Sequence, residues 1–75
     1  MPKLPVVSGN FVVRILRSVG YSLDRQKGSH MIMIKSGERS IPIPNHDPIS
    51  TGTLIQILRQ AKISRQELEK IIKNL

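Results

Sequence analysis

Apolar positions along the chain change their period, and the changes mark out its elements. Phe11, Val12, Ile15, Leu16 and Val19 recur at three- and four-residue steps, which predicts a helix with one buried stripe. Ser8 precedes the run as an N-cap, Gly20 follows it as a terminator, and Arg14 and Arg17 fall on the polar side. From Tyr21 the period shortens to two, predicting a first strand over residues 21–26 that Lys27-Gly28-Ser29 breaks. A second strand runs from His30 to Lys35. Its uninterrupted Met31-Ile32-Met33-Ile34 predicts a central place with both faces at least partly buried. After a turn at Ser36-Gly37-Glu38-Arg39, Ile41 and Ile43 alternate with Ser40, Pro42 and Pro44 in a third strand. Two prolines remove ladder donors, so this strand belongs at a sheet edge. Residues 45–50 have loop composition. Ser50 or Thr51 then caps a helix bearing Leu54, Ile57, Leu58 and Ala61, and Ser64-Arg65-Gln66-Glu67 is a capping box that opens a last helix bearing Leu68, Ile71, Ile72 and Leu75.

Helix, three strands, helix and a short terminal helix imply an α+β fold, with a three-stranded antiparallel sheet and helices on one face. That is the element order of double-stranded-RNA-binding-like domains. At 75 residues the chain is read as one domain spanning 1–75.

Charge narrows the class of partner. Twelve Lys and Arg face five Asp and Glu, a formal net charge of +7, which points to a polyanion and to nucleic acid first. An acidic protein would satisfy the same charge. The cations, from Lys3 to Lys73, are spread through the elements, unlike a disordered basic arm. Phe11 and Tyr21 are the only aromatic residues, so an aromatic platform for single-stranded bases is poorly supported and contact through phosphates and backbone shape fits better. The absence of cysteine excludes disulfides and thiolate metal sites and fits a reducing interior. No segment has the length of a signal-peptide core or a membrane span, so a cytoplasmic protein with no membrane partner is expected.

RNA carries its own nucleophile, the 2′-hydroxyl, so cleaving it needs a base for that proton and an acid for the leaving oxygen. Imidazole titrates near neutrality and serves either role. His30 stands at the mouth of the second strand, with Gly28 and Ser29 able to present amides to a phosphate oxygen and Lys27 and Lys35 as neighbouring charges. The same residue also reads as an ordinary strand histidine with one hydrogen bond. His46, in the loop after the third strand, reads either as a turn residue or as a second proton-transfer group if that loop folds back on the second strand. Two histidines and scattered acids make no recognisable metal site, so no metal or cofactor is expected. Neither a phosphate-binding glycine loop nor a Ser-His-Asp hydrolase set is present.

Pro5-Val6-Val7-Ser8-Gly9, Lys27-Gly28-Ser29-His30, Pro42-Ile43-Pro44-Asn45-His46 and the run from Gly52-Thr53-Leu54 to Ile63-Ser64 occur in this order. Together they resemble the HicA family of bacterial and archaeal toxins, from about Val6 to Leu68. The resemblance implies a double-stranded-RNA-binding-like fold, ribosome-independent cleavage of messenger RNA, and neutralisation by a HicB-like antitoxin. It also implies that the family's catalytic histidine falls on His30 and the glycine before it on Gly28. His46 matches a histidine common in the family's loop, and Lys62 stands where many relatives have glycine. The expected function is therefore a metal-independent endoribonuclease toxin with His30 as general acid or base. A noncatalytic double-stranded-RNA-binding module, or a module for an acidic protein, would share the charge and the element order.

Overall fold

The structure, a computed structural model, describes residues 4–75; Lys3, counted among the cations above, lies outside the described residues. Six elements follow in the expected order: α1 (Gly9–Ser18), β1 (Ser22–Lys27), β2 (His30–Ile34), β3 (Ile41–Pro44), α2 (Thr51–Gln60) and α3 (Arg65–Lys73).

Each helix starts at a serine whose hydroxyl accepts an otherwise unpaired amide proton: Ser8 from Phe11, Ser50 from Thr53 and Ser64 from Glu67. At Ser64 the Glu67 carboxylate completes the capping box by accepting from the Ser64 amide at 3.2 Å. Helix ends are equally well defined. The Gly20 amide donates to the Arg17 carbonyl and the Tyr21 amide to the Leu16 carbonyl, with Gly20 at φ +99°, which is a Schellman closure. The same pair of bonds ends α2, from Lys62 to Arg59 and from Ile63 to Leu58, with Lys62 in the left-handed position at φ +58°.

The strands form one antiparallel sheet in the order β1-β2-β3, so the proline-bearing strand lies at an edge and β2 is central. Met33 pairs with Leu23 and Ile41, and Met31 with Gln26 and Ile43. On this face Met31, Met33, Ile41 and Ile43 are buried beneath Val12, Ile15 and Leu16 of α1, Leu54, Ile57 and Leu58 of α2, and Leu68 of α3. Among the described residues no helix covers the other face.

Expectation and structure differ in detail for physical reasons. Strand β1 starts one residue later and runs through Lys27, because Lys27 pairs with His30 and leaves only Gly28 and Ser29 in the turn. Every β1 residue is exposed, since the strand lies at an edge and Tyr21, the buried aromatic, precedes it. The continuous apolar run of β2 takes the expected central place, with Met31 and Met33 buried on one face and the other face buried only in part, Ile32 half-buried and Ile34 exposed, because helices cover only one face. At the C-terminus, α3 stops at Lys73 and leaves Leu75 exposed.

Candidate functional site

The β1–β2 turn begins the site. A positive φ of 60° at Gly28, with Ser29 outside the left-handed region, is the pattern of a two-residue II′ hairpin turn, whose twist matches that of the strands. A Cβ at Gly28 would meet nothing within 4 Å. Backbone conformation therefore requires glycine here, and the space above it is open.

Three further segments converge on this turn. Pro44 lies opposite His30 in the ladder, the Asn45 amide donates to the Ser29 carbonyl at 2.7 Å, and the Gly9 amide donates to the His46 carbonyl at 2.8 Å. On the far side of the loop the Ile49 amide donates to the Val7 carbonyl. The start of α1 comes so close to the end of β3 that a Cβ on Gly9 would collide with the Pro44 carbonyl oxygen. Gly9 is thus a packing requirement, whereas Gly28 is a conformational one.

His30 is exposed and faces the uncovered side of the sheet. There it shares an open depression of about 380 Å³ with Lys27, Ile32 and Pro42. Register explains the grouping: Lys27 and Pro44 flank His30 in one rung, and Arg25 and Pro42 flank Ile32 in the next. An irregularity between Leu23 and Arg25 puts Asp24 out of register. The extra residue re-aims the strand, as bulges do, and lets Leu23 pair on the covered face while Arg25 and Lys27 pair on the open one. Arg25 is ion-paired with Asp24.

Of the residues expected at the site, Lys27, Gly28, Ser29 and His30 come together and Lys35 does not. Lys35 follows the far end of β2, roughly 16 Å from His30 at the usual strand rise. Its ammonium donates to the Val19 carbonyl at 2.9 Å and lies 5.5 Å from the Tyr21 ring centroid. A cation at the C-terminal end of α1 complements the helix dipole. His46 belongs to the assembled region through its backbone. Two residues beyond Pro44, its Cα is within about 12 Å of that of His30, from ladder spacing and chain reach.

Arg25, Ile32 and Pro42 were not among the sequence candidates. Arg25 could have been found from its two-residue step to Lys27; Ile32 and Pro42 could not, because an apolar residue in a strand reads as core until the covered face is known. No group of three or more His, Cys, Asp or Glu is gathered for a metal among the described residues. Nor is any of their helices long and apolar enough to cross a membrane.

Comparison with known proteins gives a family match. The family model described as HicA toxin of bacterial toxin-antitoxin matches residues 9–63, a span that takes in α1, the sheet, α2 and every residue lining the depression. No curated protein matches the chain.

Proposed function

Because the chain belongs to the HicA toxin family and is a toxin of a toxin–antitoxin system, we propose that it acts by cleaving messenger RNA at His30, as an endoribonuclease. The observation that carries this reading is the position of His30, exposed beside Lys27 in an open depression at a turn with free space above it.

In the proposed step the His30 imidazole takes the proton of a 2′-hydroxyl as that oxygen bonds to the adjacent phosphorus. The bond from phosphorus to the 5′-oxygen breaks, and the imidazolium so formed is the acid available to the leaving oxygen. A 2′,3′-cyclic phosphate and a 5′-hydroxyl result. Lys27, directly across the ladder, offsets charge on the non-bridging oxygens. The backbone at Gly28 and Ser29 bounds the phosphate from the turn side. Nothing in this chemistry calls on a metal. The proposed protein partner is a HicB-like antitoxin that covers His30 and its basic surroundings, since occupying the depression keeps the toxin off RNA.

The test is cleavage of messenger RNA in EDTA by the parent protein and by His30→Ala, with and without the antitoxin. A general acid or base contributes about 10²–10⁴-fold, so His30→Ala is expected to lose activity on that scale while keeping its circular dichroism spectrum. The antitoxin should abolish cleavage and slow carbethoxylation of His30. Equal rates for the two proteins would remove His30 from the mechanism. Salt-sensitive duplex binding with no product from any RNA would instead favour a noncatalytic double-stranded-RNA-binding module.

A further inference from the structure

We infer that the depression beside His30 is a subsite for one unpaired nucleobase, with Ile32 and Pro42 as its floor, and that the chain engages RNA here as a single strand. The inference rests on the reading of His30 as the site of cleavage and adds the part of the substrate that lies next to the scissile phosphate.

A surface that met only phosphates and duplex shape would carry cations and hydrogen-bonding groups. The open face of this sheet instead places half-buried Ile32 and exposed Pro42 side by side, one rung from Lys27 and His30. Neither residue serves the core, which lies on the opposite face. Same-face rungs of a strand are about 7 Å apart, comparable with the reach from a phosphate to the base of its own nucleotide. A phosphate at Lys27 and His30 therefore leaves its base above Ile32 and Pro42. The flat face of a base gains dispersion and sheds water there, in the manner of aromatic stacking platforms but with aliphatic surface. Neither aromatic side chain can take this place. Tyr21 is buried, and Phe11 is half-buried on α1 with Arg14 over its ring at 5.7 Å.

Reaction geometry points the same way. Attack by a 2′-oxygen requires it to stand in line with the leaving 5′-oxygen, which the A-form backbone does not allow. A paired base also has its faces covered by its neighbours and cannot lie on the sheet. Charge is consistent with a strand crossing here, because Lys27 lines one side of the floor and matches the charge of a phosphodiester backbone, while Arg25, ion-paired with Asp24, pairs with Ile32 in the next rung. Since the floor is apolar and lacks hydrogen-bonding groups for base edges, discrimination among bases at this position should be weak.

The experiment measures binding in a His30→Ala background, so that turnover does not interfere, with three labelled RNAs: a single-stranded octamer, the same sequence as a duplex, and the octamer carrying one abasic nucleotide at successive positions. The single strand is expected to bind at least tenfold more tightly than the duplex, and an abasic site at one position should cost about five- to tenfold. Pro42→Ala and Ile32→Thr, each checked for an unchanged thermal transition, should weaken the single strand by a similar factor and leave the salt slope as it was. Lys27→Ala should weaken every RNA and reduce that slope by about one. Equal affinity for duplex and single strand, or indifference to every abasic position, would overturn the inference; neither readout depends on a further protein variant folding. So would a pattern in which Ile32→Thr and Pro42→Ala impair capture of the antitoxin and not of RNA. Failure of the catalytic reading is separate: it appears as undiminished cleavage by His30→Ala, whatever the binding series shows.

Discussion

Two glycines show how one residue type answers two different demands at this site. Gly28 holds a left-handed turn conformation with empty space around it, and Gly9 holds an ordinary helical start against the Pro44 carbonyl. Gly28→Ala is therefore expected to cost about 1–2 kcal/mol, the usual penalty for an L-residue in the left-handed region, with little change elsewhere. Gly9→Ala must push α1 away from β3 and should cost more, about 3 kcal/mol, at the upper end of overpacking penalties. Urea melts of both variants check the order; equal losses would mean that the α1–β3 junction yields more easily than the lack of room for a Cβ at Gly9 implies. Both glycines were visible in the sequence. Gly28 announced a turn, but Gly9 looked like an ordinary residue after an N-cap, because its constraint comes from a strand more than thirty positions away.

At the scale of elements, the closure of α2 is the informative departure. Its Schellman bonds are complete, yet the left-handed position belongs to Lys62, whose ammonium reaches Glu38 at 3.4 Å. That pair is exposed on the lysine side and offsets only part of the conformational cost, since surface pairs contribute about 0–1 kcal/mol. Lys62→Gly should then raise stability by about 0.5–1 kcal/mol, after the glycine's extra freedom in the unfolded chain is counted. A lower melting temperature for this variant would show that the Lys62–Glu38 pair outweighs the backbone relief. The helices were readable because caps, apolar stripes and terminators act within a few residues of one another. The bulge in β1 was not, because it exists only relative to β2, and it decides that Leu23 pairs on the covered face while Arg25, two residues on, pairs on the open one.

For the molecule as a whole, Tyr21 marks where α1, the sheet and the α2–α3 turn close on each other. Burial, and then the Glu38 carboxylate, hold its phenol above its ordinary value near 10, while Lys62 pulls it slightly back. A group whose folded value is raised favours the folded state fully below the unfolded value and loses that contribution as pH climbs through the folded one. Stability should accordingly fall above about pH 10, and Tyr21→Phe should flatten that part of the decline; identical alkaline profiles for parent and variant would sink the assignment. What the sequence determined by itself was the element order, the edge place of the proline strand and the basic character, all of which rest on local periodicity, local caps or composition; the catalytic reading of His30 came from the family resemblance. Only the tertiary structure decided which face of β2 the helices cover, and with it that Lys27, His30, Ile32 and Pro42 share one open depression while Lys35 stabilises the end of α1. The physical reason is that strand register and helix packing are relations between distant segments. A run such as Met31-Ile32-Met33-Ile34 has the same local chemistry on both faces until the fold assigns one to the core and leaves the other open.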